Sequence, residues 1–487
     1  MLAAAWLLGG CHGDPGTAEA PRAGGSAIAD APVATEQPCP EGLGLPADAR
    51  CGTVQVYEDR ASQAGRTIDL AYLILPAKNP DAARPDPLFA LAGGPGQAAT
   101  QIWQVSKTSL AVAHETHDLV FVDQRGTGAS NGLRCPVEDL SEILAGPWRN
   151  TEALVACAQS LPADLTQYAT PTAMDDLDDV RAALGYDQIN VWGGSYGTRA
   201  ALAYLRQHEE HVRSAVLWGV APPGSPFMRT FGPDGQAALD ALFADCEADE
   251  ACKALLPEGQ ATLDRIVGRL QEAPAPITIP DPRTGQPASI ELSDEMFIGA
   301  LRLALYDASW AASLPAVLAA ADQGKYEALM GFASQITVAV VQQIHMGMFL
   351  SVACAEDVPL LNDDDLAAAG RSFIGEEFLR GMQQTCAGWP RATLPEGYLE
   401  PVRSEVPVLL MAGALDPVTP PSTAERAAKT LSNSRFVPFP ATGHGTSNAA
   451  ACDAQLVGAF VNTPDPAALD ISCTEGLKRP DFVIPPD

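Results

Sequence analysis

Basic residues are scarce in this sequence. Only 30 Lys and Arg accompany 60 Asp and Glu, which gives a formal net charge of −30 over 487 residues. Such a surface repels phosphate backbones and anionic lipid headgroups, so the composition argues against nucleic acid as a partner. The hydrophobic share of 47% is ordinary for a chain that buries a large core. We therefore expect one large domain with an insertion, or two domains.

Metal and cofactor motifs are also missing. No CxxC pair occurs, so no structural zinc site is predicted, and no cofactor is called for. The glycine-rich loop 123–128 lacks the Lys-Ser/Thr that completes a phosphate-binding loop. We interpret that loop as structural, with Arg125 bracing the loops of an active site.

The cysteines indicate export. Of the 11 cysteines, ten remain when Cys11 is set aside, and they fall into sequential neighbours. This spacing predicts five local disulfides in an oxidising compartment, although sequence alone does not fix connectivity and buried free thiols are the alternative. The ten are Cys39, Cys51, Cys135, Cys157, Cys246, Cys252, Cys354, Cys386, Cys452 and Cys473.

The first residues resemble a bacterial lipoprotein signal. A short apolar run, 1–10, ends in small residues before Cys11, which would be lipidated, and it is too short to span a bilayer. No Lys or Arg precedes the run, unlike a typical signal, and an ordinary Ala/Leu-rich start is the alternative. Residues 1–38 are predicted as signal and flexible tether. We expect a protein that is secreted or held in the cell envelope, with Cys11 as its membrane attachment; the oligomeric state stays open.

Alternating strand and helix patterns predict an α/β fold. Residues 39–224 alternate short apolar runs with helical periods, which is typical of a doubly wound, mostly parallel sheet. Residues 225–398 are mostly helical in period, and strand patterns return in 399–487. We therefore predict a sheet in two parts with an inserted helical cap. The strands are expected at Thr53–Tyr57, Thr67–Leu75, Pro87–Ala92, Asp118–Val122, Gln188–Trp192, Ser214–Val220, Val406–Met411 and Arg435–Phe439.

A serine stands where a strand should turn into a helix. Residues 193–197 read Gly-Gly-Ser-Tyr-Gly and fit the G-x-S-x-G nucleophile elbow, with Ser195 as nucleophile. An oxyanion hole needs two backbone N–H groups, which we assign to Tyr196 and to Gly94 in the Gly-Gly-Pro-Gly loop 93–96. An ordinary tight turn is the alternative for that loop.

The general base follows by elimination. The acid and the histidine come after the serine in this type of fold, and His444, between two glycines, is the one histidine placed in a loop after a later strand. The other six precede the serine, end its helix or lie in the insertion: His12, His114, His117, His208, His211 and His345. Asp416 ends the strand before His444 and is the predicted acid, although an Asp before proline is also a common turn residue.

These motifs resemble the prolyl aminopeptidase family of α/β-hydrolases, and within it the secreted bacterial tripeptidyl aminopeptidase branch. The likeness rests on residues 93–96, 123–130 and 193–198, with 416–420 and 443–445 resembling the acid and base motifs. It spans about 39–480. Ala92 stands where the prolyl enzymes carry histidine, so the resemblance does not imply strict proline specificity.

The resemblance implies a helical cap whose acidic residues hold the free amino group of a peptide. Glu356, in the segment 352–357, is the candidate for that contact, and a solvated or disulfide-adjacent acid is the alternative.

Three functions fit the sequence. The first is an exopeptidase that acts on free N-termini through an acyl-enzyme, and the second is a carboxylesterase or lipase-like enzyme that uses the same triad on esters. The third, a catalytically dead fold that serves as a binding protein, is disfavoured by the complete triad.

Overall fold

A computed structural model describes residues 32–485. The predicted signal and Cys11 lie outside the described residues. The predicted tether reached residue 38, but residues Ala34–Gln37 form a strand that pairs antiparallel with the next one. Three of its four side chains are exposed, so no apolar alternation marks this strand in the sequence. Its pairing is carried by backbone groups at the edge of the sheet.

Nine of the eleven strands in the described residues form one sheet. The order is β1-β2-β3-β5-β4-β6-β7-β10-β11, and all neighbours from β5 onward along this order are parallel. The mostly parallel sheet confirms the predicted fold class. From β1 to β11 the strands are Ala34–Gln37, Arg50–Tyr57, Thr67–Leu75, Leu88–Leu91, Leu119–Val122, Ile189–Gly194, Val212–Trp218, Ala275–Pro280, Pro287–Leu292, Val408–Gly413 and Ser434–Phe439.

Helices cover both faces of the sheet and build the insertion. From α1 to α17 they are Ala99–Ser106, Leu140–Ala145, Thr151–Ser160, Thr170–Ala183, Tyr196–Gln207, Phe231–Ala248, Glu250–Leu255, Gly259–Glu272, Asp294–Ala304, Ala308–Ala311, Leu314–Asp322, Glu327–Gln343, Met346–Glu356, Asp363–Ala369, Glu377–Gly388, Pro421–Ala428 and Ala450–Asn462. No helix within residues 32–485 is both long enough and apolar enough to cross a membrane.

The central strands are buried on both faces, as their uninterrupted apolar runs predict. Strands β4, β5 and β10 have no exposed residue. Helices α4, α5 and α16 pack on one face around Phe89 and Val191. Helices α1 and α17 pack on the other face around Phe121 and Met411.

The insertion between β7 and β10 forms a cap with its own apolar cluster. That cluster includes Phe297, Leu301 and Leu314 of the cap, and also Leu140 and Ile143 of α2. Helices α2 and α3 follow β5, so a second and earlier segment of the chain joins the cap. The periodicity of these two short helices does not show what they pack against. The cap also contains a hairpin, β8 and β9, that the sequence analysis did not predict.

Five disulfides join the ten cysteines in sequential pairs. The bonds are Cys39–Cys51, Cys135–Cys157, Cys246–Cys252, Cys354–Cys386 and Cys452–Cys473. The pairing of neighbours agrees with the connectivity expected from the spacing.

Loop length predicts how much each bond stabilises the fold. Cys354–Cys386 joins residues 32 positions apart in the sequence, and Cys246–Cys252 joins residues 6 positions apart, so the first bond closes the longer loop. Replacing both cysteines by alanine should lower the free energy of unfolding by about 4 kcal/mol for the long loop and about 2 kcal/mol for the short one. Urea unfolding of the two double variants measures the difference. Equal losses would contradict the loop-entropy account.

Candidate active site

The predicted site residues meet at one edge of the sheet. Strands β4, β6, β7, β10 and β11 are parallel neighbours, so their carboxyl ends lie side by side. The loops after β4, β6, β10 and β11 carry Gly94, Ser195, Asp416 and His444 respectively.

Ser195 lies on a sharp turn between β6 and α5. Its backbone has φ +56° and ψ −126°, a conformation that side chains other than glycine rarely adopt. The turn is possible because Gly193 and Gly197 pack backbone to backbone, and a Cβ at Gly197 would collide with the carbonyl of Leu91. Both glycines of the motif are therefore required by close approach. This geometry matches the nucleophile elbow.

The loop after β4 lies against the serine. A Cβ at Gly93 would come within 3.4 Å of the Ser195 Cβ. Gly94 has φ +109°, where a side chain would be strained. Tyr196 is the first residue of α5, and the first N–H groups of a helix have no acceptor within it. The two N–H groups predicted for an oxyanion hole therefore come from adjoining segments.

Asp416 and His444 form a buried hydrogen bond. The Nδ1 of His444 lies 2.8 Å from Oδ2 of Asp416, whose side chain is fully buried. Asp416 Oδ1 also accepts from the N–H groups of Val418 and Thr419, at 2.8 and 2.9 Å. Burial works against the carboxylate, but His444 and these hydrogen bonds outweigh it and lower the pKa of Asp416. An ionised Asp416 fixes the Nδ1–H tautomer and leaves Nε2 free to accept a proton.

Side chains that the sequence analysis did not single out hold this pair. Thr419 Oγ1 donates to Asp416 Oδ2 at 2.8 Å and lies 3.1 Å from His444 Nδ1. Trp218 Nε1 donates to the His444 carbonyl at 2.7 Å, while the Trp218 carbonyl accepts from the Ser195 N–H. The Tyr306 ring meets the His444 ring edge to face, with centroids 5.3 Å apart. Only Thr419 had a signal in the sequence, because it lies three residues after Asp416.

His345 connects the loop 93–96 to the loop 123–130 from the cap. Its Nε2 accepts from the Gly128 N–H at 3.0 Å, so its Nδ1 carries the proton and donates to the Gly96 carbonyl at 3.0 Å. Burial, helped by the charge of Arg134, lowers the pKa of His345 to about 4. A neutral histidine thus joins two loops of the core.

Comparisons with known proteins agree with this geometry. A family model described as alpha/beta hydrolase fold matches residues 86–254, and one described as TAP-like protein matches residues 371–473. The chain has the α/β-hydrolase fold, with a TAP-like carboxyl-terminal segment. Together with the relatives described next, this fold makes it a hydrolytic enzyme.

Several curated relatives of this hydrolase are named as proteases or peptidases. It is 25% identical over 441 residues to the serine protease Hip1 of Mycobacterium tuberculosis, with 82% of each chain covered. It is 30% identical over 220 residues, 41% of each chain, to the tripeptidyl aminopeptidase of Streptomyces lividans. A solved proline iminopeptidase of Mycobacterium smegmatis superposes with a TM-score of 0.44 and 16% identity, over 82% of this chain and 97% of that one.

Glu356 is buried beside the site of the hydrolase. It accepts from the Thr170 N–H at 2.8 Å and from the Tyr398 hydroxyl at 2.7 Å, and Arg199 lies 3.5 Å away. Its side chain is 1% exposed, and burial raises the pKa of Glu356. With both carboxylate oxygens occupied, these contacts favour a structural role, and its contact with a substrate stays a prediction.

Two other groups of polar residues are structural in their contacts. Arg125 is buried and holds Asp176 of α4 with two nitrogens, and the bracing of the active-site loops predicted for it stays a prediction. Asp178, His208 and His211 bring possible metal-ligand atoms within 4.8 Å of one another. Arg181 already pairs with Asp178 at 2.7 Å, and the expectation of no metal site stays a prediction.

Substitution of the predicted triad tests the assignment. Ser195→Ala should abolish turnover without changing stability, because Ser195 supplies a covalent step and little packing. Asp416→Asn and His444→Ala should each lower kcat by about 10⁴-fold, since the base loses its tautomer or is absent. Hydrolysis rates and thermal unfolding of the three variants measure both effects. Near-normal turnover in any one of them would refute the assignment.

His345 predicts a pH-dependent stability. Between about pH 6.5 and 4, His345 is protonated in the unfolded chain but stays neutral in the folded one. The free energy of unfolding therefore falls as the pH falls. This linkage amounts to about 3 kcal/mol by pH 4. In urea unfolding, the stability gap between wild type and His345→Gln should therefore narrow by that amount from pH 7 to pH 4. A gap that does not change with pH would contradict the neutral state of His345.

Proposed function

We propose that this chain is an exported serine hydrolase that removes residues or short peptides from free N-termini. The observation that carries the proposal is the hydrogen-bonded pair of Asp416 and His444 at the same sheet edge as the Ser195 elbow. The names of the relatives favour peptides over esters as substrates. The five disulfides favour an oxidising compartment, and a lipid anchor at Cys11 belongs to this proposal.

The proposed mechanism uses Ser195, His444 and Asp416 in the roles of nucleophile, base and acid. Ser195 Oγ attacks the scissile carbonyl while its proton passes to Nε2 of His444, and Asp416 stabilises the resulting imidazolium. The N–H groups of Gly94 and Tyr196 bind the oxyanion. The imidazolium then protonates the leaving amine, which leaves an acyl-enzyme on Ser195. Water, deprotonated by His444, hydrolyses that ester and restores the serine.

We propose Asp234, in place of Glu356, as the partner for the substrate's ammonium group, because one of its carboxylate oxygens has no partner within the part of the chain that the structure describes. Asp234 lies in the first cap helix, α6, and its Oδ2 is buried without a hydrogen-bond partner among the described residues. Burial raises the pKa of Asp234 to about 6; a contact with Thr230 opposes this shift, and the charge of Asp416 adds to it. An unsatisfied carboxylate at this position is suited to a bound cation.

A comparison of blocked and free peptides tests the proposal. Peptide anilides with a free N-terminus should be cleaved about 10- to 100-fold faster, in kcat/KM, than their acetylated counterparts, because acetylation removes the charge that a cap carboxylate binds. Nitrophenyl esters serve as the comparison for an esterase. If acetylated peptides are cleaved as fast as free ones, or if plain esters are preferred, the aminopeptidase proposal is wrong and the carboxylesterase function takes its place.

Two matched variants locate the ammonium contact. Asp234→Asn should reduce the preference for free N-termini by slowing the free peptide, since it removes the unpaired carboxylate. Glu356→Gln should lower stability and leave that preference in place, because Glu356 already has protein partners. Rates on the free and acetylated pair, with unfolding midpoints, separate the two roles. If only Glu356→Gln loses the preference for free N-termini, Glu356 and not Asp234 binds the ammonium group.

A further inference from the structure

Arg302 is a cation in the cap that has no carboxylate partner among the described residues. It lies in α9, and its Nη2 donates to the Tyr306 hydroxyl at 3.0 Å. Five other cap arginines pair with a carboxylate: Arg229, Arg265, Arg269, Arg283 and Arg380.

Two aromatic rings hold the guanidinium of Arg302. Its central carbon lies 4.4 Å from the centroid of Phe231 and 5.4 Å from that of Tyr306. Such cation–π contacts fix the plane of the group without using its N–H donors. The Nε atom is buried and has no hydrogen-bond partner within the described residues. A buried donor of this kind calls for an acceptor that comes from outside the chain.

The guanidinium is one side chain away from the catalytic histidine. Tyr306, which accepts its hydrogen bond, packs edge to face on the ring of His444 at 5.3 Å. The Tyr306 carbonyl also accepts from the N–H of Gly445, so the end of α9 is fixed to the histidine loop. An anion bound by Arg302 would therefore lie close to the reacting bond.

We propose that Arg302 binds a carboxylate of the substrate. This inference rests on the proposed function, because a peptide can offer two such groups, its C-terminal carboxylate or an Asp or Glu side chain. The planar fork of a guanidinium matches a carboxylate in both cases. Since the whole chain repels anions at long range, the contact selects among bound substrates and does not attract them from a distance.

A peptide set that differs in one carboxylate tests this subsite. The set contains free-amine peptides with Gln or Glu at each position in turn, each made with a C-terminal carboxylate and with an amide. Wild type should prefer one carboxylate-bearing member by about 10- to 100-fold in kcat/KM. A preference for Glu over Gln at one position would identify the side chain as the carboxylate that is bound. A preference for the free C-terminus over the amide would identify the terminal carboxylate.

Variants connect that preference to Arg302. Arg302→Gln should remove most of it, mainly by raising KM for the preferred peptide, and Arg302→Lys should retain part of it. Arg269→Gln, in a cap arginine already paired with Asp322, is the matched control and should keep the preference. The proposal is overturned if wild type shows no preference, or if Arg302→Gln slows all members equally.

Two further measurements keep the test decisive. If Arg302→Gln does not fold, inhibition of wild type by a peptide carboxylate should still exceed inhibition by its amide by about tenfold, and equal inhibition overturns the proposal. If wild type cleaves esters but none of the peptides, the aminopeptidase function has failed. A half-ester of a dicarboxylic acid and its amide analogue then test Arg302 separately.

Discussion

The order of the parallel strands is the constraint on which the rest of this structure depends. Parallel strands end at the same edge of a sheet, and β4, β6, β7, β10 and β11 are consecutive neighbours. Segments separated by more than two hundred residues in the chain are thereby brought to adjacent positions. Backbone pairing of these strands brings the loop 93–96, Ser195, Asp416 and His444 to the same edge of the sheet. Side chains then adjust their distances.

The sequence predicts those parts of the molecule whose structure is decided by a few local residues. The elbow at Ser195 needs glycines at 193 and 197, and both proved necessary for close backbone approach. Buried parallel strands have uninterrupted apolar runs, so most strands of the sheet could be predicted from the sequence. Strand β1 was missed because its side chains are mostly exposed and its pairing uses only the backbone. The proposed triad could be assigned because its motifs lie at strand ends.

Contacts between distant segments were not predictable in the same way. Tyr306 and Arg302 have no local pattern that marks them, and their importance comes from packing against His444 and Phe231. Glu356 was selected by resemblance, yet its environment is a buried network with Arg199. Such environments depend on how the cap docks on the core, and a single sequence taken by itself does not contain that information.

The cap and the sheet have separate apolar clusters. Packing in a protein interior is tight, so a core substitution usually demands compensation from its immediate neighbours. Substitutions around Phe297 and Leu314 have most of their neighbours in the cap cluster, so they can accumulate over evolution with few accompanying changes in the sheet. Phe231 differs, because it packs in a fourth cluster together with Tyr196 and Val418. The outer cap can therefore drift in sequence, while the part of the cap next to Ser195 and Asp416 must change together with the core.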